Sequence, residues 1–221
     1  MTRFLLASGS PRRRELFGLL GLPFATASAA VDESPRDIES PAQMVERLAQ
    51  AKASAVARST RLSDVTIVIA ADTIVSLDDS PLGKPVDDAD AIRMLRALRG
   101  RTHQVHTAIT LVDTSTRQAL SDLATSNVPM RNYSDDEIAT YIATGDPLDK
   151  AGAYAIQHQG FHPVAQMRGC FANVMGLPLC HLTRTLRAIG FEPPADVPAA
   201  CQSHIRYTCP VFAIILTYND Q

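Results

Sequence analysis

No excess of charge of one sign marks this chain: 21 Lys plus Arg face 23 Asp plus Glu, a formal net charge of −2. That balance removes a global electrostatic case for nucleic-acid or membrane binding, so any anion site must be local. Cysteine is scarce, and Cys170, Cys180, Cys201 and Cys209 form no C-x-x-C pair and no zinc-finger spacing. They read as reduced thiols of a cytoplasmic protein, with Cys201 and Cys209 placed so that they could pair in the tail. No apolar run reaches membrane-spanning length, and the apolar start is too short for a secretory signal. Internal repeats and low-complexity tracts are missing. So are the standard nucleotide signatures: there is no G-x-x-x-x-G-K-[ST] loop and no G-x-G-x-x-G after a strand. Kinase, GTPase and dinucleotide-dependent dehydrogenase readings lose their support.

What is present suits a globular α/β protein. The 221 residues are 46% hydrophobic and 20% charged, enough for one large domain or two lobes with a real core. The chain is organised around residues 65–71, an apolar run that fits a strand buried on both faces. It empties into Asp72 and Thr73, then through a turn into Gly83-Lys84-Pro85. Ligands of open α/β sheets commonly sit beyond the carboxyl ends of such strands. A second charged motif follows the strand predicted over residues 3–7. Ser10 is a good N-cap and Pro11 a good first helical residue, so a helix starts there with Arg12, Arg13 and Arg14 in its first turn. Basic residues oppose the helix dipole at that end, which suggests that a bound anion compensates them.

Asp32 and Glu33 end a short extended stretch over residues 24–31. They either help Asp72 hold a hard divalent cation or form a solvated turn. Ser40 and Pro41 open a helix to about Arg58 with Met44, Leu48, Ala51 and Ala55 as its buried stripe. Lys52 lies beside that stripe, reaching a cleft or simply flanking it. Further helices are predicted over residues 88–98, from Ser134 with a capping box to Gly145, and from Met175 to Gly190. Residues 105–112 and 119–130 read as an antiparallel strand pair, with His103 and His106 as ordinary polar residues. Asp149 and Lys150 precede a glycine-hinged strand that ends at Gln157, a side chain able to donate and accept at a base edge.

Six stretches together resemble the Maf family of nucleoside triphosphate pyrophosphatases. They are A-S-G-S-P-R-R (7–13), R-L-A-Q-A-K-A (47–53), A-D-T-I-V (71–75), G-K-P (83–85), Y-I-A-T-G-D-P (141–147) running on to Gln157, and N-V-M-G-L-P (173–178). They keep the family's order between about Arg3 and Phe191. The resemblance implies a mixed twisted sheet with flanking helices, similar to inosine-triphosphatase-like proteins, with two lobes around a cleft. It implies a family domain over residues 1–191 and a C-terminal extension over residues 192–221. It implies that Asp72 is the proton acceptor, and that Ser8, Arg12, Arg13, Glu33, Lys52, Lys84 and Gln157 fall on phosphate-gripping and catalytic-site positions. A divalent metal cation, Mg²⁺ or Mn²⁺, is expected on Glu33 and Asp72.

The pattern looks like the subgroup acting on dTTP and UTP, with Arg12, Thr73 and Gln157 as specificity determinants. The implied partner is a nucleoside triphosphate substrate, with no nucleic acid and no membrane, and a homodimer is compatible with the family. The family also allows a nucleotide-binding regulator of septum formation with incidental catalysis. The Pro- and Ala-rich residues 192–200 read as a linker. The apolar run at 211–216 reads as an added strand, a partner contact or an extension without function.

Overall fold

The computed structural model of the chain describes residues 3–59 and 66–217. Its strands are β1 (Arg3–Ala7), β2 (Phe24–Ala27), β3 (Thr66–Leu77), β4 (Ser80–Leu82), β5 (Thr102–Asp113) and β6 (Ala119–Pro129). Its helices are α1 (Pro11–Gly18), α2 (Pro41–Ser59), α3 (Asp88–Leu98), α4 (Asp135–Ile142), α5 (Phe171–Met175), α6 (Leu179–Ala188), α7 (Val197–Ile205) and α8 (Phe212–Thr217). The strands make one mixed sheet in the order β2-β1-β3-β5-β6, with β4 folded back on β3. β2, β1 and β3 run parallel, whereas β3, β5 and β6 are antiparallel neighbours. This is the α/β architecture expected from the sequence. Val65, the first residue of the expected central strand, lies outside the described residues.

β3 departs from expectation at its other end. It does not stop at Ala71 but continues through Asp72 and Thr73 to Leu77, because β5 accompanies it in register from Ile67 to Ser76. On its opposite edge, β1 pairs only as far as Ile69, and β4 begins only at Val75. Between those two pairings that edge has no strand beside it among the described residues. Asp72 and Thr73 stand in this gap, just past the point where β1 ends. The parallel part of the sheet therefore does finish beside Asp72, although the strand carrying it does not.

Side chains alternate across β3. On one face Ile67, Ile69 and Ala71 join a core with Leu16 and Phe17 of α1 and Leu182 and Leu186 of α6. Farther along the same face, Val75 and Leu77 join a second core with Leu95 of α3 and Ile138 of α4. Thr73 falls between these two cores. On the other face Val68, Ala70 and Ile74 pack beneath α2, and Asp72 lies between Ala70 and Ile74.

Local sequence explains most helix ends. Ser10 caps α1 by accepting from the Arg13 backbone N–H at 3.4 Å, with Pro11 at the first helical position. Ser134 and Glu137 form the predicted capping box of α4. The stripe of α2 is turned from its expected place. Val45, Leu48, Ala49, Ala53 and Val56 are its buried residues alongside Pro41, and of the expected set only Leu48 is fully covered. Both sets satisfy helical spacing, and contact with β3 and β5 chooses between them. That rotation brings Lys52, next to Ala53, round toward the sheet.

Further expectations are corrected. Residues 151–157 form no strand: a single-turn 3-10 helix over Asp146–Asp149 is followed by another over Ala151–Ala153, with Gly152 at φ 70° inside the second. Residues 192–200 are not a linker, since Asp196 caps α7 and Val197 is buried in the core under α6. The run at 211–216 lies largely in α8, a helix rather than a strand. All four cysteines are free thiols around an apolar contact between α5, α6, α7 and the start of α8. Burial pushes Cys180 up to about 12 and Cys201 up to about 11, so these thiols are unreactive near neutrality.

Candidate active site

The gap on β3 collects charged side chains from four segments. From α2, the Lys52 ammonium pairs with Asp72 and with Glu33, at 2.6 Å from the Glu33 carboxylate. The Asp72 side chain is 10% exposed and Lys52 18%, whereas Glu33 is 59% exposed. One ammonium thus holds two carboxylates together at the rim of the sheet. Lys52 holds the Glu33 carboxyl below the usual carboxylate range, against the opposing effect of burial, with Lys84 and Arg13 adding to the depression. Lys84 itself is exposed on the Gly83–Pro85 turn. The Gly83 carbonyl accepts from the Gly152 N–H at 3.0 Å, which ties that turn to the 3-10 segment.

The loop after β1 supplies the second half. Ser8 is buried, and its hydroxyl accepts from the Ser10 N–H at 3.2 Å. Arg12 pairs with Asp149 at 3.9 Å. Asp149 in turn accepts from Lys150 at 2.5 Å, and Lys150 also donates to Asp146 at 2.8 Å. Arg13 does not project into open space. Its Nε donates to the Gly176 carbonyl at 2.8 Å and its Nη2 to the Thr73 hydroxyl at 3.0 Å. Burial and the neighbouring Arg12 lower the Arg13 pKa, while Asp72 and Glu33 oppose that.

Arg12, Arg13, Glu33, Lys52, Asp72 and Lys84 are therefore linked by contacts or by charge around one gap, and Ser8 bonds only within the loop after β1. Thr73 is adjacent but faces the other side of the sheet, where it bonds Arg13 and Thr107 rather than open space. Gln157 is exposed in the turn after the 3-10 segment. Several contributing residues have no role assigned from the sequence, although Arg47, Asn173 and Gly176 lie within the family-like stretches. Arg47 donates twice to Glu39 and, at 3.1 Å, to the Ser34 carbonyl, which anchors the loop bearing Glu33. Thr107, Asn173 and Gly176 surround the back of Arg13. Such anchors depend on contacts between distant segments, which spacing along the chain does not reveal.

Among the described residues, no group of three or more His, Cys, Asp or Glu side chains is arranged to hold a metal ion. Glu33 and Asp72 nevertheless converge on a single cation, the Lys52 ammonium. Two carboxylates so placed could help to hold a hard divalent ion, which would supply positive charge there.

The chain has relatives among known proteins. The sequence pattern of the family described as Maf-like protein matches residues 3–189. A dTTP/UTP pyrophosphatase from Desulforamulus reducens is 42% identical over 192 residues, covering 87% of this chain and 99% of that protein. A dTTP/UTP pyrophosphatase from Moorella thermoacetica is 45% identical over 192 residues, covering 87% of this chain and 97% of its own. Among solved structures, a nucleoside-triphosphatase / dITP/XTP pyrophosphatase from Mycobacterium abscessus superposes loosely, with a TM-score of 0.44 at 17% identity over 86% of this chain and 94% of the other. A family match over nearly the whole sequence, with relatives above 40% identity, fixes the kinship: this chain belongs to the Maf-like protein family.

Proposed function

We propose that the chain hydrolyses nucleoside triphosphates, dTTP and UTP foremost, to the monophosphate and pyrophosphate. The observation that carries this reading is the pair of carboxylates on Lys52, set in the strand gap opposite the Arg-bearing start of α1. The names of the relatives support the choice of nucleotide. In the proposed reaction a water oxygen bonds to the α-phosphorus while the bond from that phosphorus to the α,β-bridging oxygen breaks. Asp72 accepts the proton of the water, and pyrophosphate departs with the bridging oxygen and its electron pair. Asp72 suits this role because it is largely buried beside the strand gap and is held in place by the Lys52 ammonium.

Ser8, Arg12, Arg13, Lys52 and Lys84 would hold the phosphate oxygens and stabilise the charge that grows on the leaving pyrophosphate. Glu33 and Asp72 would hold the divalent cation, Mg²⁺ or Mn²⁺, which when bound neutralises part of the triphosphate charge. Gln157, exposed and able to donate and accept, would read the uracil or thymine edge. In this reading Arg12 contributes to specificity from the cleft side. Thr73 contributes through Arg13, since its hydroxyl is already engaged there.

The test is pyrophosphate release from a panel of dTTP, UTP, CTP, ITP and N7-methyl-GTP, with the Asp72→Asn variant alongside. The proposal expects turnover of dTTP and UTP, with kcat of the variant lower by about a thousandfold and KM changed only a few-fold. Variant kcat near the parent value would remove Asp72 as the base. A parent protein that binds these nucleotides without turning any of them over would refute the hydrolase.

A further inference from the structure

Behind Arg13 lies a chain of hydrogen bonds that crosses the seam between the two cores. The Thr107 hydroxyl donates to the Asn173 backbone carbonyl at 2.9 Å, since a carbonyl oxygen only accepts. A hydroxyl has one proton, so across the 3.0 Å contact between Thr73 and Thr107 the donor is Thr73. The Thr73 proton is then engaged, and its oxygen accepts from Arg13 Nη2 at 3.0 Å. The relay runs from the guanidinium through Thr73 and Thr107 to Asn173, every member with a fixed role.

The far end is anchored. Thr73 and Thr107 are directly opposed in the β3–β5 ladder, which fixes their separation. The Asn173 side chain donates to the Val105 carbonyl at 3.0 Å and to the Ser126 hydroxyl at 2.9 Å, tying α5 to β5 and β6. Thr107 and Asn173 are fully buried. The Asn173 carbonyl also takes the Gly176 N–H at 2.9 Å, which bends the chain so that the Gly176 carbonyl meets Arg13 Nε at 2.8 Å. Gly176 has φ 104°, and a Cβ there would lie 3.2 Å from the Thr73 hydroxyl and 3.3 Å from Arg13 Nε. Only glycine leaves room for the guanidinium.

We propose that Thr107 and Asn173 are positioning residues, which orient Arg13 toward the phosphates from behind the sheet. Neither projects into the gap where substrate would lie, and both act through Thr73 and Gly176. This inference rests on the proposed phosphate-binding role of Arg13. It gives the N-V-M-G-L-P stretch the role of presenting two backbone carbonyls, one to the relay and one to the guanidinium itself.

The decisive experiment is a double-mutant cycle on the full chain with two readouts, turnover of dTTP and calorimetric binding of inorganic pyrophosphate. Thr107→Val keeps shape and removes the hydroxyl, while Thr107→Ser keeps the hydroxyl. The proposal expects Thr107→Val to lower kcat/KM and pyrophosphate affinity about five- to tenfold, the scale of one neutral hydrogen bond. Thr107→Ser should stay within about twofold of the parent, and Thr107→Val placed on Arg13→Ala should cost nothing more. A Thr107→Val protein equal to the parent in both readouts would overturn the proposal. So would an equally large deficit in the Arg13→Ala background, which would assign the hydroxyl to folding. Thr73→Val gives the same cycle if Thr107→Val does not fold. A parent protein that binds pyrophosphate but turns over no nucleotide would refute the hydrolase reading alone, and the binding cycle would still decide the relay.

Discussion

At the scale of single residues, the central feature is one ammonium shared by two carboxylates. Such a group holds Glu33 and Asp72 together at the strand gap. Removing it should be legible in Glu33 itself. Lys52 is the main cause of the lowered Glu33 pKa, so Lys52→Met should raise that pKa toward or beyond the ordinary glutamate value, where burial and the uncompensated Asp72 drive it. Carboxyl-carbon NMR titration of Glu33 checks this; an unmoved Glu33 would mean that the pair is not coupled in solution. The places of Asp72 on a buried strand and of Arg12 and Arg13 at a helix start were legible from the residues themselves, whereas Lys52 was singled out only by the family-like stretch around it. The contacts of Thr73 were not legible. The resemblance made it a specificity determinant, but strand alternation sends it to the face opposite Asp72.

At the scale of elements, the site depends on where strands stop. β1 ends before Asp72 and β4 starts after it, and the opening is closed off by the turn at Gly83. Gly152 fixes that turn, since its N–H bonds the Gly83 carbonyl while its φ of 70° lies in the left-handed region. A Cβ at Gly152 would lie 3.0 Å from Val75 of β3. Gly152→Ala should therefore cost about 2 kcal/mol, from backbone strain and overpacking together. Denaturant unfolding measures it, and a loss below about 0.5 kcal/mol would show that the segment relaxes freely. Helices α1 to α4 and α6, the β5–β6 pair and the capping box were readable because local periodicity and caps determine them. The 3-10 segment was misread as a strand: its small and apolar residues fit either form, and tertiary contacts with α3 and β3 decide. The α2 stripe failed for a related reason, since helical spacing fixes a period but not a phase.

At the scale of the whole molecule, two cores share one sheet, and groups buried far from the gap set its stability. His103 of β5 is buried, with its Nε2 at 2.8 Å from the Tyr154 hydroxyl, and burial lowers its pKa to about 4. The unfolded chain, with an ordinary histidine value of 6.5, binds the proton first as pH falls. The stability that neutral His103 provides is thus complete above pH 6.5 and lost between there and about pH 4, by about 3 kcal/mol. Unfolding free energies across that range should show this slope, and His103→Gln should flatten it; an unchanged slope in the variant would assign it elsewhere.

The tail contributes to stability at the same scale. We propose that the family domain ends near Phe191 and that residues 192–217 serve as structural cover for it. Val197 is 2% exposed against the α6 core, and the Tyr207 hydroxyl lies 3.1 Å from the Met167 and Gly169 carbonyls. Removing residues 192–221 should lower Tm by about 5 °C or more, given the apolar surface uncovered. A truncated chain as stable as the full one would make the extension dispensable. Pro- and Ala-rich composition concealed α7 because a Pro in the first turn and a capping Asp suit a helix start as well as a linker.

The claim on which everything else depends is attack of water at the α-phosphorus. Hydrolysis of dTTP in ¹⁸O-labelled water, with mass analysis of both products, tests it directly. The account predicts one labelled oxygen in dTMP and unlabelled pyrophosphate. Label in the pyrophosphate, or release of inorganic phosphate with dTDP, would contradict it.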